Sequence, residues 1–472
     1  MSEVLVTTAP GPITPIHALT EAALPAFLET QPESIRRLAR LSQFKAKAGQ
    51  ILLATNDWGG GKSDDEGDGG DLVLFGLGAG ASADGMAFRA LPSKLPMGDY
   101  RLAAPAEGVS VQATALGWAL GAYAFERYRQ PRKEAWPRLV VDESFDLSEV
   151  KAIAQGCALA RDLVNTPAND MGPVQLEMAA RETAEAFGAT ISVVTGDALL
   201  AAGYPAVHAV GRAADPTRAP RMIEITWGRA GDPLVALVGK GVVFDTGGLD
   251  LKPSAGMRLM KKDMGGAAHV LGLAHMIMAT GVRVRLVVLL PVVENAISGD
   301  AMRPGDVIAS RKGLSIEIGN TDAEGRLILA DALTRAAELQ PVLTLDLATL
   351  TGAARAALGP QVIPFYTADD ALARDIAEAA QAVADPVWRM PLWAGYDEAL
   401  DSDIADLKND PDNWAQAGSV TAALFLQRFA PAGSWAHFDI FAWNPKGRAG
   451  HPTGAEAQTI RALYATLKAR WA

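Results

Sequence analysis

From residue 233 onward, short apolar runs alternate with helical stretches, and this rhythm limits the possible folds more than any other feature of the chain. The runs are PLVALVG (233–239), VRLVVLLP (284–291), LSIEIG (314–319), VLTLDLA (342–348) and AHFDIF (436–441). Between them lie GGAAHVLGLAHMIMA (265–279), RLILADALTRAAEL (326–339), ALARDIAEAAQAVA (371–384) and SVTAALFLQRF (419–429). Such alternation predicts an α/β domain with a mixed, largely parallel sheet flanked by helices on both faces. Ligands of such sheets gather at the carboxyl ends of the strands.

Ahead of this region, residues 1–145 read as a smaller α/β domain. DLVLFGLG (71–78) and RLVVD (138–142) are expected strands, and ATALGWALGAYAFERYR (113–129) a helix packed through small residues. The glycine-rich, acidic stretch 58–71 reads as a flexible surface loop. Gly76, Gly78 and Gly80 lack the GxGxxG spacing of a dinucleotide site and read as a turn that needs small residues. A helical pattern over 146–168, closed by Thr166-Pro167-Ala168-Asn169, is the expected connector to a catalytic domain over 169–472. A chain of 472 residues is too long for one ordinary core, and no period indicates a repeat architecture.

The formal net charge of −11, with the acidic excess already present in residues 1–150, counts against nucleic acid as a partner. Cys157 is the single cysteine, so a disulfide within the chain is ruled out and a reducing compartment fits. Glu3 precedes any apolar run, no basic segment leads the N-terminus, and no apolar stretch approaches the roughly 18 residues that span a bilayer. A cytoplasmic protein without a membrane partner is the expectation.

Ionisable residues accumulate at the expected strand ends. Lys240 follows PLVALVG, Asp245 and Lys252 lie in the expected loop FDTGGLDLKP after it, and Asp263 comes eighteen residues after Asp245, just before a helix. LSIEIG runs into Asn320-Thr321-Asp322-Ala323-Glu324-Gly325-Arg326 and another helix. Taken singly, each has an ordinary explanation. Asp263 as an N-cap would stabilise its helix by about 1 kcal/mol, Asp322 and Glu324 would suit a helix N-terminus, and the lysines would be solvated. Together, four carboxylates on one edge repel one another unless cations lie between them. Arg326 opposes the macrodipole of its helix and is better placed if an anion binds beside it. Oxygen donors without cysteine or histidine suit magnesium, manganese or zinc. None of the six histidines forms an HExxH pair, and His269 and His275 read as packing residues or as supports behind the ligands. No Walker motif and no GxSxG elbow occurs.

The motifs GKGVVFDTGG (239–248), Lys252-Pro253, DMGGAA (263–268) and NTDAEGRL (320–327) resemble those of the leucine (cytosol) aminopeptidases, as do LVNTP (163–167), ATLTGA (348–353) and WAHFDI (435–440). The resemblance covers about 160–472. It implies a metallo-exopeptidase that removes the N-terminal residue of peptides with a free N-terminus, using hydroxide activated by two divalent ions. Manganese or zinc is expected, with magnesium or cobalt as alternatives. By the same resemblance Asp245 and Glu324 bridge both ions, Lys240 and Asp263 complete one, and Asp322 completes the other. Lys252 stabilises the tetrahedral intermediate, and Arg326 anchors a bicarbonate ion that acts as general base. Met260, Thr349, Gly352, Phe441 and Asn444 line the pocket for the first side chain, and the assembly is a homohexamer.

Three departures stand out. Thr246 replaces the usual serine, Asp250 adds a carboxylate, and Phe441-Ala442-Trp443-Asn444 replaces a continuation that often begins Ala-Gly. Phe441 is expected to narrow the pocket and weaken a preference for leucine. Two other readings remain open from sequence: a two-metal hydrolase of another ester class, against which a lysine ligand counts, and a mainly DNA-binding, regulatory relative, against which the acidic N-terminal domain counts.

Overall fold

A computed structural model describes residues 4–54, 71–80, 85–104, 108–131, 135–411 and 416–472. Of the expected surface loop over 58–71, all but Asp71 lies outside the described residues. The chain divides into two compact units, Met1–Ala154 with Lys446–Thr453, and Gln155–Pro445 with Gly454–Ala472.

The first unit is built on a six-stranded sheet in the order Leu5–Val6, Arg138–Val140, Asp99–Leu102, Ile13–Thr20, Leu72–Gly78, Ile51–Ala54. Every neighbouring pair is parallel except the last. The helix Val111–Gly121 begins at Ser110, whose hydroxyl accepts from the Ala113 N–H at 3.0 Å. Its small residues allow backbone contact: a Cβ on Gly117 would stand 2.4 Å from the Gly85 carbonyl oxygen, and one on Gly121 2.2 Å from that of Arg89. The helix stops at Gly121 rather than running to Arg129. A weak helix former sits where the chain needs the missing side chain, and Phe125 and Tyr128 beyond it pack ring against ring. Gly76 lies inside a strand, where a Cβ would stand 2.2 Å from the Lys47 carbonyl oxygen, so close chain approach accounts for the small residue there.

The second unit holds a nine-stranded sheet. Along its path the order is Val387–Arg389, Ile363–Tyr366, Ser434–Asp439, Leu343–Ala348, Leu234–Gly239, Arg285–Asn295, Arg221–Trp227, Thr190–Thr195, and Gly241–Asp245 pairs the far half of Arg285–Asn295. The centre is parallel, and antiparallel pairs lie toward both edges. Central strands are buried on both faces, which is why they read as continuous apolar runs. The helix Gly265–Thr280 packs on Leu234–Gly239 and Leu343–Ala348, while Glu324–Glu338 packs on Arg285–Asn295 and Gly418–Gln427. Ala236, Val238, Leu327, Leu333, Phe425 and Phe429 share one core.

One expected strand lies elsewhere. Ser315–Glu317, from LSIEIG, belongs to a separate three-stranded sheet with Val307–Ala309 and Leu407–Lys408. Only Ile316 within it is fully buried, so it has one apolar face and no place inside a sheet covered on both sides. The connector pattern forms the helix Ser148–Asn165, followed by a turn in which the Asp170 N–H donates to the Pro167 carbonyl at 2.9 Å. Among the described residues, no helix is long and apolar enough to cross a membrane.

Candidate metal centre

Lys240 links the strands Leu234–Gly239 and Gly241–Asp245 and is pinned from both sides. Its N–H donates to the Leu347 carbonyl at 3.1 Å, and its carbonyl accepts from the Ala267 N–H at 2.8 Å. Two motif glycines make room for this. A Cβ on Gly266 would stand 2.0 Å from the Leu347 oxygen, and one on Gly325 would stand 2.7 Å from Lys240 Nζ. The lysine therefore sits between the first turns of the helices Gly265–Thr280 and Glu324–Glu338. Its ammonium lies 2.7 Å from Asp263 Oδ2 and 2.9 Å from Glu324 Oε1, and it donates to the Thr349 carbonyl at 3.1 Å.

Asp245 ends a strand instead of lying in a loop, because Gly241–Asp245 pairs in parallel with Arg285–Asn295. Asn295, the last residue of that neighbour, donates to Asp245 Oδ1 at 2.8 Å, as does the Gly247 N–H at 2.8 Å. Asp245 Oδ2 is left for Lys252 Nζ, 2.8 Å away, and the same ammonium touches Asp322 Oδ1. Asp263 is not an N-cap: it lies in the 3-10 turn Met260–Met264, and its Oδ1 accepts the Thr349 hydroxyl at 2.8 Å. One oxygen each from Asp245, Asp322 and Glu324 falls within a sphere of mutual distances below 4.8 Å. The structure thus brings together Lys240, Asp245, Lys252, Asp263, Asp322 and Glu324.

Burial makes this cluster electrostatically demanding. It pushes the Glu324 carboxyl up to about 8, with the charge of Asp245 adding to the shift. The same two causes push Asp322 up to about 6. Burial alone would lower Lys240, but the charges of Asp263, Glu324 and Asp245 outweigh it and hold the ammonium above its usual range. Lys252 is raised in the same way, chiefly by Asp245. Among the described residues Glu324 Oε2 is buried without a hydrogen-bond partner, a costly arrangement unless another group engages it. Four carboxylates against three lysines, Lys262 beside Asp263 included, leave an acidic excess, and hard oxygen donors with an orphaned buried oxygen fit divalent cations.

Arg326 is buried two residues into its helix. Its Nη1 donates to the Asn409 carbonyl at 2.7 Å, its guanidinium carbon lies 5.9 Å from the centre of the Phe425 ring, and its Nε has no hydrogen-bond partner among the described residues. Burial lowers its pKa to about 10. Asp250, the added carboxylate, is a brace: it accepts from the Thr321 N–H at 2.7 Å and hydroxyl at 3.1 Å. Asn409 ties down the other loop, accepting from the N–H groups of Gly319 and Asn320. His269 bonds backbone groups of Gly265 and Glu456, and His275 packs edge-on to Phe187, so both are packing residues.

A cleft of about 320 Å³ opens onto the cluster, and Met260, Thr349, Gly352 and Phe441 line it. Asn444 and Arg326 are not among its lining residues. Asn444 pairs with Gly454 in a two-stranded ribbon, and Arg326 is held by Asn409 and Phe425. Sequence reasoning missed Asn295, Asn409 and Lys262, the last of which also lines the cleft. Burial holds its ammonium below the usual lysine range. A signal was present in Met260-Lys261-Lys262-Asp263, where two lysines interrupt a segment that must be buried for Asp263 to reach the site.

Residues 158–464 match the profile of the cytosol aminopeptidase family, catalytic domain, and residues 14–141 match the M17 aminopeptidase, N-terminal domain. The chain belongs to the M17 cytosol aminopeptidase family. It is similar to the Probable cytosol aminopeptidase of Syntrophotalea carbinolica, with 39% identity over 442 residues, covering 84% of this chain and 85% of that protein. The crystal structure of the cytosol aminopeptidase from Coxiella burnetii superposes with a TM-score of 0.92 at 40% identity, with 100% of both chains covered. The bottromycin maturation enzyme BotP in complex with Mn gives 0.84 at 34% identity, covering 98% of this chain and 100% of that one. The M17 chain described here is accordingly a metallo-exopeptidase, with the mixed sheet and smaller N-terminal domain of that family.

Proposed function

We propose that this chain removes the N-terminal residue of peptides at a centre of two divalent ions, manganese or zinc, held by Lys240, Asp245, Asp263, Asp322 and Glu324. The observation that carries the proposal is the convergence of four carboxylates and Lys240 around the orphaned Glu324 Oε2. Bound there, the ions would polarise the peptide carbonyl and supply a strong nucleophile at neutral pH, and a bicarbonate ion held by Arg326 would take up its proton. Asp245 and Glu324, at the middle of the cluster, would face both ions. Lys252, already poised between Asp245 and Asp322, would donate to the carbonyl oxygen as it becomes anionic. Asn295 and the Gly247 N–H fix one oxygen of Asp245, and Thr349 fixes one of Asp263, so both carboxylates would keep their orientation while cations replaced the ammonium contacts of Lys252 and Lys240.

The first side chain would enter the cleft beside Met260, Thr349, Gly352 and Phe441, and Asn444 would act on that pocket only from outside its lining. Residues 1–145 would form the N-terminal domain, 146–168 the connector and 169–472 the catalytic domain, within a cytoplasmic homohexamer. A panel of aminoacyl-p-nitroanilides against p-nitrophenyl phosphate, with and without added manganese or zinc, tests the proposal. Metal-dependent cleavage confined to the free-amine anilides is expected. Preferential cleavage of the phosphate would reject it.

A further inference from the structure

The cleft contains two cations that the chemistry above leaves unused, Lys262 and Arg355. Lys262 lies two residues after Met260 in the turn Met260–Met264, and only 8% of its side chain is exposed. Its ammonium stands 3.6 Å from Asp263 Oδ1, beyond hydrogen-bond reach. That oxygen already accepts the Thr349 hydroxyl, and the other oxygen of Asp263 faces Lys240. The ammonium is 5.7 Å from the centre of the Phe441 ring, and Arg355 lies over the same ring at 4.5 Å. Both cations line the cleft. Asp439, the remaining carboxylate there, is committed to the Leu350 and Thr351 N–H groups and to the Thr351 hydroxyl.

We infer that the cleft selects peptides whose first residue has a carboxylate side chain, aspartate or glutamate, with Lys262 as its partner and Arg355 at the mouth. The inference rests on the aminopeptidase reading above and names its substrate class. A leucine side chain in this cleft would press methyl groups against a desolvated ammonium and return nothing for the lost hydration. A carboxylate would form a charge-assisted hydrogen bond with the same group. Phe441 supplies a flat apolar wall with two cations against its ring, which fits a short side chain ending in an anion. The terminal carboxylate of a short peptide carries the same chemistry. The position of Lys262 beside Met260, Thr349 and Phe441 favours the side chain of the first residue.

The test uses the metal-loaded full chain and arylamides of glutamate, glutamine and leucine, which have no terminal carboxylate. The glutamyl substrate should exceed the glutaminyl one in kcat/KM by about tenfold or more. Lys262→Met should bring that ratio toward one, Lys262→Arg should retain it, and Arg355→Met should reduce it by a smaller factor. Inhibition of the wild type by free glutamate should be stronger than by glutamine, a readout independent of glutamyl turnover. If Lys262→Met does not fold, the wild-type ratio and Arg355→Met still decide. An active wild type that handles glutamine or leucine as well as glutamate would overturn the inference and leave the aminopeptidase reading intact. So would a leucyl dipeptide strongly preferred over its amide, which would assign the cations to the terminal carboxylate. No cleavage of any arylamide by fully loaded protein would reject both.

Discussion

Two sheets of this chain present the carboxyl ends of parallel strands, and among the described residues only one of them gathers buried charge there. In the first unit those ends border a cavity of about 520 Å³ lined by Arg101, Leu102, Thr114, Leu139, Asp142 and Glu143, among others. Its charged residues are exposed, and Asp142 is held below the usual carboxylate range by the hydroxyl and N–H of its near neighbour Ser144. In the second unit the cleft is smaller, yet Lys240, Asp245, Asp263 and Glu324 are all buried and lean on one another. The strand edge supplies a location in both cases. Burial of opposed charges is what turns one location into a place where cations are needed.

The sharpest way to break this contrast is Asp245→Ala beside Arg101→Ala. Losing Asp245 should deplete bound metal and lower peptidase activity by more than about a thousandfold. Arg101→Ala, in the first unit, should leave activity within about twofold. Metal content by elemental analysis, alongside kcat, reads both, and a large loss in Arg101→Ala would mean that the first sheet also serves the chemistry.

Within the second unit, Lys252→Ala should lower kcat by about a hundred- to a thousandfold while metal content stays near normal. Equal metal loss in Lys252→Ala and Asp245→Ala would show that the two residues do not differ in role. Arg326→Ala should reduce turnover on the order of a hundredfold with the metals retained. Removing and restoring carbonate should change kcat of the wild type but hardly that of Arg326→Ala. An identical carbonate response in both proteins would place the anion elsewhere.

Metal affinity should also slope with pH. Cation binding must expel a proton from the Glu324 carboxyl, which burial and Asp245 push up to about 8, and from the raised Lys240 ammonium. Both groups hold their protons more firmly than ordinary residues of their kind, so protons compete with metal on the acid side and affinity climbs as pH rises. One released proton corresponds to about tenfold per pH unit. Calorimetric or competition titrations between pH 6 and 9 check this, and a flat profile would remove both Lys240 and Glu324 from the ligand set.

Much of this was legible in the chain. Runs buried on both faces announce a parallel sheet, and the motifs around Lys240, Asp263 and Glu324 retain their spacing because two glycines let helix backbones close on one lysine. What stayed hidden depends on distant pairings. Asn295 reaches Asp245 only because a short strand adds beside its own, and Asn409 braces a loop eighty-nine residues away. Ser315–Glu317 looked like one more central strand because three residues carry too little pattern to show which faces are covered. Lys262 was passed over because a lysine next to an aspartate usually lies in solvent, and only its packing by the turn Met260–Met264 reveals otherwise.

The most direct test of the central claim is a metal titration of protein stripped by prolonged chelation. Manganese or zinc is added back in known equivalents while bound metal and aminoacyl-anilide hydrolysis are followed together. Activity should be negligible in the stripped protein and reach its plateau at two ions per chain, with the fold retained throughout by circular dichroism. Full activity in a demonstrably metal-free preparation would contradict the account.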